Sequence, residues 1–255
     1  MTVVVAFNCT DGVVIAADSM ITPNMGGINV GHHHGMKLAV LAGPQLFAFA
    51  GDQGQAARFR VMADGSHALI PQVGHPLDYS IAISQSIIQQ LQNTGISIQM
   101  VNANTILAFA KDGTHHCCVF EGPLQPRFLD ANHFYVALGS GKLSADPFLR
   151  FLVDTFCAGN TQPSVREGMF LATWVVQHVI ETNPGGVAGP IRVATFEATV
   201  NGAFDARNLP DDEIAEHQQA VESAAEALRV WRDQLQSGEA AEDAPGQPEA
   251  PPAQA

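Results

Sequence analysis

Basic residues are scarce in this chain: 12 Lys and Arg stand against 25 Asp and Glu, a formal net charge of −13 at pH 7. A nucleic-acid binder needs a basic face, so that class is set aside. Long apolar runs are missing too. Charged residues interrupt every stretch that could approach the ~20 residues needed to cross a bilayer. The start shows no basic segment, apolar segment and cleavage site in series, so no secretory signal is read there. Cysteine is limited to Cys9, Cys117, Cys118 and Cys157, with no C-x-x-C spacing. Cys117 and Cys118 would point to opposite faces of a strand and so would not pair. A reducing, cytoplasmic setting is expected.

Metal and nucleotide chemistry also lack their signatures. His32, His33 and His34 are consecutive, and an extended chain cannot turn all three toward one ion. They are expected to form a mobile loop. In His115-His116-Cys117-Cys118 only alternate residues share a face, and two ligands do not close a zinc site. Gly139-Ser140-Gly141-Lys142 lacks the preceding glycine of a phosphate loop. No metal or other cofactor is expected, and any ATP-driven unfolding would have to come from an ATPase or adaptor partner.

What is present is ample core material: 46% hydrophobic residues with only 15% charged. Short runs rich in β-branched and aromatic residues predict strands at 2–9, 13–17, 36–42, 45–50, 104–110, 115–120, 126–130, 133–138 and 191–198. Glycine and proline pairs such as Asp11-Gly12 and Gly43-Pro44 punctuate them. Helical periodicity predicts helices at 53–62, 77–94, 145–158 and 165–181. Strands and helices come in groups rather than in βαβ alternation, which indicates an α+β fold with helices covering antiparallel sheets. From Asp211 to Leu235 the pattern changes. Ile214, Val221, Leu228 and Leu235 recur every seven residues, with His217, Ala224 and Trp231 at the second seam position. Three acids after Pro210 suit a helix start. This amphipathic helix is expected to pack on its own domain in preference to an intersubunit seam. The division read is a domain at 1–205, the helix at 206–236, and an acidic Pro/Ala-rich tail at 237–255 too poor in apolar residues to order itself.

One set of residues carries chemistry when taken in order. Thr2 follows Met1, and removal of the methionine would leave a hydroxyl nucleophile and an α-amine base on one residue. The amine titrates at ~7.7–8.0, near a working pH. Asp18, Lys37 and Gly51 follow. The run TVVVAFNCTDGVVIAADSMIT resembles the N-terminus of proteasome β-type subunits, the threonine N-terminal-nucleophile peptidases. Ala17-Asp18-Ser19-Met20-Ile21-Thr22 resembles that family's A-D-S-x-x-T stretch, with Met20 where Arg is usual. Lys37 in MKLAVL, Gly51 in FAFAGDQGQ and Gly139-Ser140-Gly141 continue the series. In Ile180-Glu181-Thr182-Asn183-Pro184-Gly185-Gly186, Glu181 and Pro184 stand where the family has Asp and Ser. The resemblance spans about residues 2–200.

The resemblance implies a four-layer αββα sandwich and a set of roles. Thr2 would be the nucleophile, Lys37 the neighbouring positive charge, and Asp18 its counter-ion. The Gly51 N–H would meet the oxyanion, while Ser140 and Glu181 would hold the Thr2 amine. Thr22 would bond an extended substrate backbone. Phe49 would form the base of the specificity pocket, with Ile21, Ala39, Gln53 and Ala57 as walls, favouring small or medium apolar residues. The implied activity is a threonine endopeptidase acting on peptides or unfolded proteins inside stacked rings of identical chains. The near absence of a propeptide, the Thr2-Val3 start and the extended C-terminus make the chain most like a stand-alone bacterial proteasome homologue. A non-proteolytic amidohydrolase of the same chemistry, or a catalytically impaired scaffold, are the alternatives.

Overall fold

The computed structural model describes residues 2–22, 24–25, 28–29, 31–157, 159, 161–183 and 186–237. Met1, Pro184 and the expected tail beyond Ser237 lie outside the described residues.

The chain begins with a hairpin of β1 (Val4–Asn8) and β2 (Gly12–Ala17). Four short strands follow: β3 (Met20–Ile21), β4 (Asn24–Met25), β5 (Ile28–Asn29) and β6 (His33–His34). A second hairpin, β7 (Leu38–Leu41) and β8 (Gln45–Gly51), leads into helices α1 (Gln53–Ser66) and α2 (Pro76–Asn93). Next come β9 (Ala103–Lys111), β10 (Thr114–Glu121), β11 (Gln125–Phe128) and β12 (Tyr135–Leu138). Helices α3 (Lys142–Phe156) and α4 (Val165–Thr182) precede a last hairpin, β13 (Arg192–Ala198) and β14 (Phe204–Asn208). Helix α5 (Asp211–Ser237) ends the described chain. The fold is mixed α+β.

Two five-stranded sheets form the frame, ordered β12-β1-β2-β13-β14 and β11-β10-β9-β8-β7. Every pairing in them is antiparallel. Side chains alternate across a strand, and here both faces are buried. Val3, just before β1, and Val5 and Phe7 within it join a cluster with Leu149 of α3 and Val175 of α4. Val4 and Ala6 join a second cluster that draws on strands of both sheets, including Leu46, Ile106 and Phe196. A third cluster unites Phe47 and Phe109 with Phe59 of α1 and Tyr79 and Ile83 of α2. Cys117 and Cys118 divide as strand alternation requires, the first in the second cluster and the next in the third.

Local chemistry sets the helix starts. Asp52 caps α1 by accepting from the Gln55 N–H at 2.8 Å. Ser164 and Glu167 form a reciprocal capping box at α4. Acids in the first turn of α5 face Arg192 and Arg207, which bind Asp211 and Glu213. The heptad stripe of α5 is divided. Ile214 and Val221 are buried against the first cluster, whereas Leu228, Trp231 and Leu235 are more than half exposed.

Two expectations need correction. The strand ending near residue 198 is not the last, because β14 follows across a tight turn containing Asn201 and Gly202. His33 and His34 are not loop residues: they form β6, which pairs with β3 in the register Ile21↔His33.

All four cysteines are free and buried. Burial pushes the Cys9, Cys117 and Cys157 thiols up, and Cys118 up to about 12. A raised thiol pKa keeps the proton on sulfur in the folded chain above the ~8.5 at which an unfolded cysteine ionises. At pH 8.5 the native protein should therefore resist a thiol-reactive disulfide reagent, with Cys157, which borders an open groove, labelling first. Denaturation should release four equivalents. Rapid labelling of Cys117 or Cys118 in the native state would contradict the packing.

Candidate functional site

Strand β1 lies between β12 and β2, and both registers are antiparallel: Val4 pairs with Leu138 on one side and with Ala17 on the other. Counting back toward the start of β1 brings Thr2 level with Ser140 and Val3 level with Asp18. The bonds agree. Thr2 N donates to Ser140 Oγ at 3.1 Å. The Gly141 N–H donates to the Thr2 carbonyl at 3.0 Å. Gly139 is required for this approach: its φ is +90°, and a Cβ there would run into the Thr2 carbonyl.

Asp18 lies beneath Thr2, 1% exposed. Its Oδ1 accepts from the Val3 N–H at 2.9 Å and from Lys37 Nζ at 2.6 Å. Its Oδ2 accepts from the Met20 N–H at 3.1 Å. Lys37 is itself 3% exposed and stands just before β7, in the other sheet. Its carbonyl accepts from the Phe49 N–H at 3.1 Å. Burial lowers the Lys37 amine from its usual range, and the Asp18 charge and hydrogen bond oppose that fall.

Gly51 closes β8 with φ +104°, and a Cβ there would strike the Asn102 carbonyl. That carbonyl accepts from the Asp52 N–H at 2.6 Å, which fixes the turn from β8 into α1. A cleft of about 660 Å³ opens over these residues. Thr2, Ile21, Thr22, Lys37, Phe49, Gly51, Gln53 and Ser140 all line it. Thr22 Oγ1 is buried with no hydrogen-bond partner among the described residues. Phe49 serves the cleft and the third cluster together, its ring 6.3 Å from Phe47.

Three expected site residues are not brought there. Ala39 packs against the third cluster and Ala57 is exposed on α1, so neither lines the cleft. Glu181 is exposed at the end of α4, where it accepts from Gln177 Nε2 at 3.1 Å and borders a groove beside α5. Helix phase is the reason. Val179 and Asn183, four residues apart, share the face toward the start of α3: Asn183 Nδ2 donates to Ser144 Oγ at 2.9 Å, and a Cβ on Gly141 would touch Val179. Glu181 lies about 200° around the helix from Val179. The structure also adds lining residues that the sequence reading omitted, among them Asp52, Asn102, Asn104 and Lys142. Asp52 was legible as a helix cap. Asn102 and Asn104 carry no local signal, and the β8–β9 register Gly51↔Ala103 brings them in. Among the described residues no group of three His, Cys, Asp or Glu could hold a metal ion. No described helix is long and apolar enough to cross a membrane.

No protein-family model matches the chain, and no curated protein matches it. Solved structures do. The chain shares its fold with Anbu proteins. A mutant Anbu from Hyphomicrobium sp. strain MC1 matches with a TM-score of 0.68 and 15% identity, over 90% of this chain and 96% of that one. Anbu from the same organism matches at 0.66 and 13%, over 89% and 95%. Anbu from Yersinia bercovieri, described as an ancestral beta-subunit, matches at 0.65 and 14%, over 97% and 100%. These matches correct the resemblance read from the sequence: they are to Anbu, a distinct family, and do not directly show a proteasome β-type subunit. At such identities the likeness concerns the fold.

The Asp18–Lys37 pair gives a direct test. Removing one partner of a buried ion pair strands the other charge and costs about 3–5 kcal/mol. Asp18→Asn should lower the unfolding free energy by that order in a urea titration. The Asp18→Asn/Lys37→Met double variant should recover much of the loss, since Lys37 then leaves no buried charge. Equal stability of Asp18→Asn and the parent would mean that the pair is not buried in solution.

Proposed function

We propose that this chain is an N-terminal-nucleophile hydrolase, specifically a threonine-type endopeptidase, with Thr2 exposed by removal of Met1. The observation that carries the reading is the junction itself. Ser140 bonds Thr2 and Asp18 bonds the adjoining Val3, while Lys37, paired with Asp18, and Gly51 of the other sheet border the same cleft as Thr2.

The chemistry follows from these groups. With Met1 gone, the nitrogen now bonded to Ser140 becomes an α-amine able to accept the Thr2 hydroxyl proton. Thr2 Oγ1 attacks a peptide carbonyl, and the Lys37 ammonium, held charged by Asp18, favours the developing alkoxide. The Gly51 N–H meets the oxyanion. Collapse expels the amine product, which takes the proton from the α-amine, and leaves an ester on Thr2. Water, deprotonated by the same amine, then hydrolyses that ester. Thr22 bonds the extended substrate backbone. The unpartnered Thr22 Oγ1 supports this role. Phe49, Ile21 and Gln53 shape an apolar pocket for a small or medium side chain.

The three hydrophobic clusters, one between the sheets and one outside each, support the four-layer αββα arrangement for residues 1–205. We further propose self-association into rings, with peptide or unfolded protein as substrate, in the cytoplasm. The four free thiols suit a reducing compartment. One observation favours a second reading, an oligomeric scaffold with impaired catalysis: Glu181 stands away from Thr2, and the Thr2 nitrogen bonds Ser140 instead.

Purified protein should show an intact mass lacking one methionine and should gain one adduct with a threonine-directed electrophile. Thr2→Ala should abolish both the adduct and peptide hydrolysis while leaving circular dichroism unchanged. Lys37→Ala should lose activity by about 10²-fold or more, as for other groups that stabilise developing charge. Undiminished hydrolysis by Thr2→Ala would sink the assignment, and retained Met1 with no adduct would favour the scaffold.

A further inference from the structure

We infer that Gln55 is a positioning residue for the Gly51 N–H, acting through a closed circuit of hydrogen bonds beside the cleft. The inference rests on the hydrolase reading above and adds to it the side chain that aims the oxyanion donor. Asp52-Gln53-Gly54-Gln55 has the spacing of a capping box, in which the side chain three residues past the cap reaches back to the cap's own N–H. Half of that box forms: Asp52 Oδ1 accepts from the Gln55 N–H at 2.8 Å. The other half is diverted to the segment before β9. Gln55 Oε1 accepts from the Asn102 N–H at 2.8 Å, and Gln55 Nε2 donates to the Met100 carbonyl at 3.2 Å. The Asp52 N–H, which Gln55 does not take, donates to the Asn102 carbonyl at 2.6 Å. Asp52, Asn102 and Gln55 thus hold one another in a ring.

The ring sits where β8 ends, and strand alternation gives the direction of the Gly51 N–H. Gly51 pairs with Ala103, so Asp52 lies opposite Asn102 and bonds it. In an antiparallel ladder bonded pairs alternate with unbonded ones. Gly51 and Ala103 are therefore an unbonded pair, and the Gly51 N–H points away from β9. The Phe49 N–H, two residues earlier and on the same side, donates to the Lys37 carbonyl. The Gly51 N–H leaves β8 on that side too, past the end of the ladder with β7, which starts at Leu38. Thr2, Lys37 and Gly51 line the cleft there.

What keeps that direction is the position of Asn102. Its carbonyl stands where a Cβ on Gly51 would be, and Gly51 holds φ +104° against it. Residues 101–102 belong to no helix or strand. Asn102 is tied to the turn by its carbonyl to Asp52 and by its N–H to Gln55. Without the Gln55 amide, the Asn102 N–H and the Met100 carbonyl are left to water, and the glycine peptide gains room to turn. Gln55 is partly buried and does not line the cleft, so it acts only through the backbone it holds.

Two variants separate this role from a merely structural one. Gln55→Met keeps the side-chain length and loses every hydrogen bond; Gln55→Glu keeps the acceptor for Asn102. Removing an oxyanion donor costs about 10²–10³-fold in kcat, and a loosened donor should cost less. Gln55→Met should lower kcat roughly tenfold with KM changed less than about twofold, and Gln55→Glu should recover part of the loss. Affinity for a peptide aldehyde should fall by the same factor as kcat, because its hemiacetal with Thr2 places an oxygen in the oxyanion position. Hydrogen exchange followed by mass spectrometry should quicken in Gln55→Met in the peptides holding Asp52 and Asn102, and match the parent elsewhere. Parent-like kcat in Gln55→Met would overturn the inference, whatever the exchange shows. A loss of kcat with exchange or aldehyde affinity unchanged would place the effect elsewhere and overturn it equally. A parent that neither turns over peptide nor takes an adduct from a threonine-directed electrophile would remove the hydrolase reading and the inference together, whereas an active parent matched by Gln55→Met removes the inference alone.

Discussion

The Asp18 carboxylate accepts from the Val3 amide at the start of β1, from the Met20 amide of β3, and from the Lys37 ammonium beside β7 of the other large sheet. The position of Thr2 depends on those three bonds. One fixes the residue next to it, the Met20 bond sets the turn into β3, and the Lys37 bond brings the edge of the second sheet against the start of the first. A buried ion pair of this kind seldom stabilises a fold more than well-packed apolar residues of the same size would. The cluster between the two sheets is apolar, so the pair is an exception in its own surroundings. What it supplies is placement. Lys37 cannot leave Asp18 without stranding a charge, and Asp18 cannot move without releasing Val3.

Two glycines make that placement sterically allowable. Both have backbone angles that other residues rarely adopt, and both accept a carbonyl where a side chain would stand: Thr2 at Gly139 and Asn102 at Gly51. The first admits β1 between its neighbours. The second sends the chain from β8 into α1 at the cleft wall, where Asp52 caps the helix.

The readable parts of the sequence were those that rest on local physics. The β-branched runs marked β1 and β2, the aromatic run marked β8, and alternation assigned Cys117 and Cys118 to opposite faces. The order Thr2, Asp18, Lys37, Gly51, Ser140 was legible as a set, and those residues do meet. What failed depended on phase or on register across sheets. Glu181 was matched by its offset in a motif, but one residue along a helix is a rotation of about 100°, and the offset says nothing of which face looks at Thr2. Ala39 and Ala57 share faces with Phe49 and Gln53 but lie farther along their elements, Ala39 opposite Phe47 and Ala57 one helical turn on, beyond the cleft. Asn102 and Asn104 arrive only through the pairing of β8 with β9. The β14 strand had a local signal, Asn201-Gly202, which marks a hairpin turn.

Helix α5 shows how burial can change along a pattern that does not. The heptad that buries Ile214 and Val221 is the heptad that exposes Leu228 and Leu235. Within one chain the difference is geometric: the first turns of α5 lie beside the end of α4, and the helix runs on past the surface it was packed against. Apolar burial is worth about 25 cal/mol per Å² of area removed from water, so an exposed Trp and two Leu represent stabilisation that this fold leaves unused. The first half of the stripe is explained by the domain beneath it. The second half has the same spacing and larger side chains, but none of the described residues lies beneath it.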